Sequence, residues 1–142
     1  MKAVVSKWKD FSNQVNQDSS KASIVTIMSK DGKFLLVKRG MTAHWEPGKW
    51  GLVGGFIHKG EDPHDGAVRE VFEETKIFLP NVLYCFSRGN VMHFLSCLPQ
   101  KSEEIEVQLD FENDDYTWVN LEEIEALETT PECKNNIIKC LR

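Results

Sequence analysis

Apolar and polar positions divide the chain into short strand-like segments arranged around one strongly amphipathic helix. The first such segment, residues 22–29, is rich in β-branched residues, which favour strands. A second apolar run, residues 34–38, follows across Asp31-Gly32, a dipeptide that favours a tight hairpin turn. These two segments therefore predict an antiparallel hairpin near the start of the patterned region.

The segments that follow predict further strands and two closing helices. A polar loop at residues 39–49 contains two glycines and a proline. Short or alternating apolar periods, typical of strands, occupy residues 50–57, 82–87, 91–98, 105–109 and 116–119. Helical spacing instead marks residues 121–127 and 131–141. The order of strands, helix, strands and helices predicts a single domain over residues 1–142, of the mixed α/β class.

The central amphipathic helix is predicted from Pro63 to about Thr75, because Asp62 is a good N-cap and proline is tolerated in the first turn. One side of this helix carries a stripe expected to face the core: Ala67, Val68, Val71, Phe72 and Thr75. Another side carries three glutamates at positions i, i+3 and i+4: Glu70, Glu73 and Glu74. This acidic side has two interpretations. It is either an exposed charged surface or a site for Mg²⁺, which prefers oxygen ligands.

Charge and composition exclude some classes of protein. The net charge of −5 and a pI of about 5.4 argue against a nucleic-acid-binding protein with a broad basic surface. The four cysteines form no C-x-x-C pair, which favours reduced thiols over a zinc site. No apolar run approaches the ~18–20 residues that span a bilayer, and no signal peptide is recognisable, so we expect a cytoplasmic protein. Residues 1–20 form an N-terminal extension with one apolar helical stripe: Val4, Val5, Trp8, Phe11 and Val15.

Residues 55–77, GFIHKGEDPHDGAVREVFEETKI, resemble the Nudix box, G-x5-E-x7-R-E-U-x-E-E-x-G-U, in which U is a bulky apolar residue. The chain departs from this pattern at one specified position, where Lys76 replaces a glycine. The broader similarity covers roughly residues 22–127. With this resemblance, the metal-site interpretation of the acidic side is the stronger one. The matching residues are Gly55, Glu61, Arg69, Glu70, Val71, Glu73, Glu74 and Ile77.

The resemblance implies a Nudix fold, an α-β-α sandwich with a mixed sheet between helices. It also implies hydrolysis of a nucleoside diphosphate linked to another moiety with Mg²⁺ or Mn²⁺. It implies that Glu70 and Glu74 are the principal metal ligands and that the backbone carbonyl of Gly54 completes the shell. By the same likeness, Glu73 ligates a further metal or a water. Arg69 is expected to orient a box carboxylate, either Glu61 or Glu73.

The residues that activate water and bind substrate lie outside the box. The segment from Glu112 to Trp118 resembles the family's E-x-x-x-Y-x-W segment, so Glu112 is our candidate general base. Its alternative is an ordinary solvated acid in an acidic loop. The candidate substrate-binding residues are Arg39, Trp45, which could stack on a base, and His58, which could contact phosphate.

Three functions remain open at the level of sequence. The leading one is a nucleoside triphosphate pyrophosphohydrolase, with ADP-ribose or a nucleotide sugar as the alternative substrate. The second is a Nudix module that senses a nucleotide without cleaving it, although such regulators often lose box glutamates that this chain retains. The third is an RNA-end hydrolase, against which the acidic pI weighs. The family contains both monomers and dimers, so a homodimer stays open.

Overall fold

The computed structural model describes residues 21–43 and 45–142, so the apolar stripe predicted within residues 1–20 lies outside it. The helices are α1 (Pro63–Thr75), α2 (Leu121–Ile124) and α3 (Cys133–Cys140), and a short 3-10 turn covers Ser102–Glu104. The strands are β1 (Ala22–Met28), β2 (Phe34–Arg39), β3 (Trp50–Gly51), β4 (Val53–Phe56), β5 (Leu83–Arg88), β6 (Val91–Cys97) and β7 (Asn113–Val119).

The described strands form one mixed sheet with β1 at its centre. β1 runs parallel to β6 along its whole length and meets β2 at a single antiparallel pair, Met28 opposite Phe34. The rest of β1 pairs with β4, whereas β2 pairs with β3 and β7. β1 and β2 therefore diverge from one shared pair, and β3 and β4 fill the space between them.

Helices cover both faces of this sheet, which confirms the predicted mixed sheet between helices. On one face, Ala67 and Val71 of α1 pack into a core with Val25, Leu35 and Phe94. On the other face, α2 and α3 pack over a second core. That core contains Phe34, Leu36, Val119, Ile124, Cys133 and Ile137. All four cysteines are free thiols, as the sequence predicts.

The ends of the first hairpin and of α1 follow the sequence closely. The Ser29 amide donates to the Lys33 carbonyl, which closes the predicted turn. The Asp62 carboxylate accepts a hydrogen bond from the His64 amide at 2.8 Å, so Asp62 is the predicted N-cap. Lys76 adopts a left-handed conformation with φ of 62°, and its amide donates to the Phe72 carbonyl. The helix therefore ends where a glycine would end it, although a lysine occupies the position.

Residues 105–109 were predicted as a strand, and this prediction is wrong. The segment is extended but pairs with no strand in the described part of the chain. Instead, the amides of Gln108 and Asp110 donate to the carbonyls of Thr75 and Glu74 at 2.9 and 3.3 Å. The alternating apolar side chains pack beneath α1, while the backbone binds carbonyls at the end of that helix.

Several predicted boundaries also shift. The 50–57 segment is two strands, because pairing breaks at Leu52 between β3 and β4. α2 ends at Ile124, short of the predicted residue 127. α3 begins at Cys133 because Glu132, with φ of 65°, is left-handed and cannot belong to the helix. β7 begins at Asn113, three residues earlier than predicted.

Candidate active site

The acidic side of α1 is largely buried, which distinguishes it from an ordinary solvated surface. Glu70 is 5% exposed and Glu74 is fully buried, whereas Glu73 is exposed. Phe72, predicted to face the core, is instead 45% exposed, and the Lys76 ammonium lies 5.4 Å from its ring centroid. The buried side of α1 is therefore rotated toward the glutamates. Buried carboxylates are rare unless they are paired or bind a ligand.

Arg69 joins the glutamates of the box into one network. Its Nε donates to Glu61 Oε2 at 2.9 Å, and its Nη1 lies 3.1 Å from Glu70 Oε1 and 3.2 Å from Glu73 Oε1. Its Nη2 also donates to the Phe56 carbonyl at 2.8 Å, which ties the network to β4. Arg69 thus contacts both of the carboxylates that the sequence offered as its partners.

The network also fixes protonation states. The hydrogen bond from Arg69 holds the pKa of Glu61 below its usual value. The same bond raises the pKa of Arg69 above the usual value of a guanidinium. The Glu61 carboxylate accepts a further bond from the His58 amide at 2.9 Å. Glu61 and Arg69 therefore remain charged at neutral pH and brace the loop between β4 and α1.

Two glycines allow the box strand to approach its neighbours closely. A Cβ atom at Gly55 would lie 2.2 Å from the carboxyl carbon of Glu70, so the Glu70 side chain occupies the space that any other residue would need. A Cβ atom at Gly54 would lie 2.4 Å from the Ser23 carbonyl of β1. The glycine pair is therefore required by packing on both sides of β4.

Glu112 lies immediately before β7, where the chain passes beside Glu74. The Glu112 carbonyl accepts from the Gly40 amide at 3.1 Å, and the next residue, Asn113, donates from Nδ2 to Glu74 Oε1 at 3.1 Å. Charge attraction also links Arg39 to the carboxylates of Glu74 and Glu112. The structure therefore brings the candidate general base close to the candidate metal ligand.

Arg39 connects this acidic group to the polar loop. Its side chain is buried, and its Nε donates to the carbonyl of Trp45 at 2.7 Å. The guanidinium lies 5.1 Å from the Trp45 ring centroid, within cation–π range. Burial lowers the pKa of Arg39 to about 10, while nearby carboxylates act in the opposite direction. Arg39 therefore stays positively charged at neutral pH.

A cleft opens between the sheet and α3. Arg39 and Trp45 both line it, so two of the three candidate substrate-binding residues lie together. His58 does not line this cleft, and it is exposed in the loop before α1. The remaining lining includes Val37, Gly51, Leu52, Asn113, Thr130, Pro131 and Asn136.

Sequence reasoning missed Asn113, Met41 and Phe111. Asn113 lies in the acidic loop that drew attention to Glu112, but its burial depends on the pairing of β7 with β2. Met41 and Phe111 are each 70% exposed and flank a second cleft, which also includes Gly40, Thr42, Glu112 and Asp114. Two apolar residues in polar loops are a weak sequence signal. They indicate a candidate binding surface only once the structure shows that the two loops lie side by side.

The chemistry of the donors fits a divalent cation. In the described residues, no group of three or more His, Cys, Asp or Glu side chains is placed to hold a metal by itself. Glu70 and Glu74 nevertheless bring hard oxygen donors to one buried surface, one turn apart. Mg²⁺ is commonly held by one or two carboxylates, with water and substrate phosphate completing its shell. The residues therefore fit a metal that binds together with a phosphorylated substrate.

Comparison with known proteins decides the family. A model of the NUDIX domain matches residues 19–139 of the chain. The chain belongs to the NUDIX family. It is a Nudix hydrolase, an enzyme that cleaves phosphoanhydride bonds.

Solved structures of Nudix proteins share this fold. The MutT protein from Methanosarcina mazei Go1 is 28% identical, with a TM-score of 0.68, over 87% of this chain and 93% of that one. An Ap4A hydrolase from C. elegans, in a binary complex, is 26% identical, with a TM-score of 0.64, over 84% and 93%. The NUDIX domain of Shewanella oneidensis NrtR, complexed with ADP ribose, is 19% identical, with a TM-score of 0.68, over 92% and 95%.

Among the residues that the structure describes, no helix combines the length and the apolar character needed to cross a bilayer.

Proposed function

We propose that this Nudix hydrolase uses Mg²⁺, or Mn²⁺ in its place, to cleave a nucleoside triphosphate into a nucleoside monophosphate and pyrophosphate. The observation that carries this proposal is the pair of buried carboxylates, Glu70 and Glu74, beside the cleft of Arg39 and Trp45. Carboxylate and phosphate oxygens repel one another, and a divalent cation bound between them removes that repulsion. The arrangement therefore suits a phosphorylated ligand whose nucleoside enters the cleft.

Each box residue has a separate role in this proposal. Glu70 and Glu74 would hold the metal with the backbone carbonyl of Gly54, and Glu73 would hold a further metal or a water. The bound cation supplies charge neutralisation at the phosphate oxygens. Arg69 is a positioning residue, because its contacts with Glu61, Glu70 and Glu73 fix carboxylates that would otherwise repel one another.

Glu112 is proposed as the general base. It accepts a proton from the water that attacks phosphorus, while the bond from phosphorus to the bridging oxygen breaks and pyrophosphate leaves. Its position one residue before Asn113, which contacts Glu74, supports this role. The positive charge of Arg39 attracts the carboxylates of both Glu74 and Glu112, which supports a shared site.

The cleft supports binding of a single nucleoside. Its lining combines apolar side chains with a few polar ones, as is usual for small-molecule sites. Trp45 offers an aromatic face for a base, and the exposed His58 is proposed to contact phosphate outside the cleft. The net charge of −5 favours a small nucleotide over nucleic acid as the partner.

A dinucleoside polyphosphate is the second candidate substrate. The identity of 26% to an Ap4A hydrolase favours it, and so does the second cleft beside Glu112, where exposed Met41 and Phe111 could contact another base. ADP-ribose or a nucleotide sugar stays the third candidate. The NrtR domain bound to ADP ribose supports the fold alone at 19% identity.

A panel of substrates tests the proposal. The purified protein is incubated with Mg²⁺ and, separately, with each ribonucleoside and deoxyribonucleoside triphosphate, Ap4A, ADP-ribose and UDP-glucose, and products are separated by anion-exchange chromatography. We expect the highest kcat/KM with a triphosphate, and pyrophosphate as the second product. A preference for Ap4A or ADP-ribose moves the assignment to that substrate, and release of single phosphates contradicts the proposed cleavage position.

The Glu74→Gln variant tests the role of the buried carboxylates. It retains the side-chain size but removes the charge, so we expect kcat to fall at least a hundredfold. Glu122→Gln, an exposed glutamate of α2, is the matched control and should retain activity. Equal activity of Glu74→Gln and the wild type would overturn the metal-ligand role of Glu74.

A further inference from the structure

We propose that Asn113 determines nucleoside specificity, because its buried carbonyl oxygen accepts a hydrogen bond from an N–H or O–H group of the substrate's nucleoside. This inference deepens the proposed nucleotide hydrolysis and rests on it. Asn113 is the first residue of β7, lies opposite Arg39 of β2 and is 5% exposed. It therefore lies at the boundary between the carboxylates of α1 and the cleft under α3.

The contact with Glu74 fixes the orientation of the Asn113 amide. Nδ2 lies 3.1 Å from Glu74 Oε1. An ionised carboxylate only accepts hydrogen bonds, so the NH₂ group must point toward Glu74 and the carbonyl oxygen Oδ1 must point away. The reverse orientation would place two acceptors in contact. The position of the acceptor is therefore set by chemistry.

The Asn113 carbonyl oxygen is buried and has no hydrogen-bond partner among the described residues. Buried polar atoms in proteins are nearly always paired, and an isolated one is a reason to look for a ligand. Asn113 lines the cleft that Arg39 and Trp45 also line. A nucleoside in this cleft could supply the missing donor.

The donor belongs to one chemical class with two possible sources. It is either an N–H of the base, on an exocyclic amine or a ring nitrogen, or a hydroxyl of the ribose. A site that pairs a buried polar group with a substrate donor discriminates strongly against ligands that lack the donor, because the protein group is then left unpaired. Asn113 should therefore select for the nucleoside, while a cation held by Glu70 and Glu74 would select for the phosphates.

Isothermal titration calorimetry with nucleoside monophosphates in Mg²⁺ tests this inference apart from turnover, because a monophosphate has no phosphoanhydride bond to cleave. The wild type is titrated with AMP, GMP, CMP and UMP. The tightest ligand is then compared with its 2′-deoxy and 3′-deoxy forms and with an analogue that lacks the base donor. We expect Asn113→Ala to weaken the parent monophosphate roughly 5- to 30-fold. We also expect the variant to lose discrimination against one analogue, which identifies the source of the donor.

Two controls separate recognition from a general structural effect. Asn120→Ala removes the N-cap of α2, a comparable loss of an asparagine contact near the other end of β7, and should leave monophosphate affinity unchanged. Pyrophosphate, which lacks a nucleoside, should bind Asn113→Ala as it binds the wild type. Thermal unfolding of each variant confirms that the fold persists.

The inference is overturned by any of three results. These are no binding of any monophosphate to the wild type, equal discrimination in the wild type and Asn113→Ala, and weakening of pyrophosphate as large as that of the monophosphate. A protein that hydrolyses none of the panel but shows the expected discrimination would sink the proposed reaction and leave the role of Asn113 intact.

Discussion

At the residue scale, Lys76 shows how one departure from a family pattern is accommodated. The Nudix box specifies glycine there, and this chain has lysine. The backbone adopts the left-handed conformation in any case, with the amide bonded to Phe72. A non-glycine residue in that conformation costs roughly 1–2 kcal/mol, so the chain tolerates strain at the end of its central helix.

Replacing Lys76 with glycine should therefore stabilise the protein. We expect Lys76→Gly to raise the free energy of unfolding by about 0.5–1 kcal/mol, since the gain in backbone freedom of the unfolded chain offsets part of the relieved strain. Urea denaturation followed by circular dichroism measures this change. Lys59→Gly, in the loop before α1, is the control. A loss of stability in Lys76→Gly would mean that the contact of the lysine with Phe72 outweighs the strain.

Glu112 is the second residue whose role a single substitution can decide. We expect Glu112→Gln to lower kcat by about 10²–10⁴-fold, the usual contribution of a general base, with little change in nucleotide affinity. Asp115→Asn, an exposed acid of the same segment, should behave as the wild type. Steady-state kinetics on the best substrate of the panel supply both values. An unchanged kcat would return Glu112 to the alternative of a solvated loop acid.

At the scale of elements, the sequence predicted α1 in full but misjudged which side of it is buried. Hydrophobic spacing places Phe72 in the core stripe, yet Phe72 is exposed while Glu70 and Glu74 are buried. Periodicity measures the average preference of side chains for water. Periodicity does not report that Arg69 and Asn113 pair with the glutamates, although these pairs reduce the free-energy cost of burying the carboxylates. The box motif supplied that information instead.

The extended segment at residues 105–109 shows the same limit for backbone pairing. Its alternation was correct, because Ile105, Val107 and Leu109 pack against the core beneath α1. The sequence could not indicate what would accept its amide hydrogens, which bind helix carbonyls rather than a neighbouring strand. The hairpin, the N-cap and α1 depend on local chemistry and were predicted; the cleft and Asn113 depend on distant segments and were not.

The packing of β4 against α1 gives an element-scale prediction. We expect Gly55→Ala to displace the Glu70 carboxylate, because the new methyl group would overlap it. The substitution should lower the free energy of unfolding, and it should lower kcat/KM more than tenfold. In a background that carries Glu70→Ala, the same substitution should cost little stability, since the overlap is gone. A double-mutant cycle by urea denaturation measures the coupling between the two positions. Additive effects would contradict direct packing.

At the scale of the whole molecule, His93 makes stability depend on pH. It is buried on β6, and its ring stacks on Phe86 at 4.3 Å, with Arg88 of β5 and Lys139 of α3 as charged neighbours. Burial, aided by these two cations, lowers the pKa of His93 to about 4. The folded protein therefore holds His93 neutral, while the unfolded chain binds a proton near pH 6.5.

Stability linked to His93 should be complete above pH 6.5 and should fall as the pH decreases toward 4, by roughly 3 kcal/mol in all. We expect His93→Phe to retain the stacking with Phe86 and to flatten the decline over this range. His64→Gln, at an exposed position of α1, should keep the decline of the wild type. Urea denaturation at half-unit steps of pH provides the comparison. An equal slope in His93→Phe and the wild type would assign the decline to other groups.

β1 and β2 share a single residue pair, so the angle between these two strands is set near the turn that joins them. Met28 and Phe34 form this pair. In the adjoining turn, Asp31 accepts hydrogen bonds from the amide and the hydroxyl of Ser102, each at 2.8 Å, which fixes the turn to the 3-10 segment. Away from this pair the two strands diverge, and the cleft is lined by Ile24 of β1, Val37 of β2 and the β3–β4 segment between them. Substitutions in this turn, which does not line the cleft, should therefore change the spacing of β1 and β2 around it. We expect them to change the affinity for the proposed nucleoside as well.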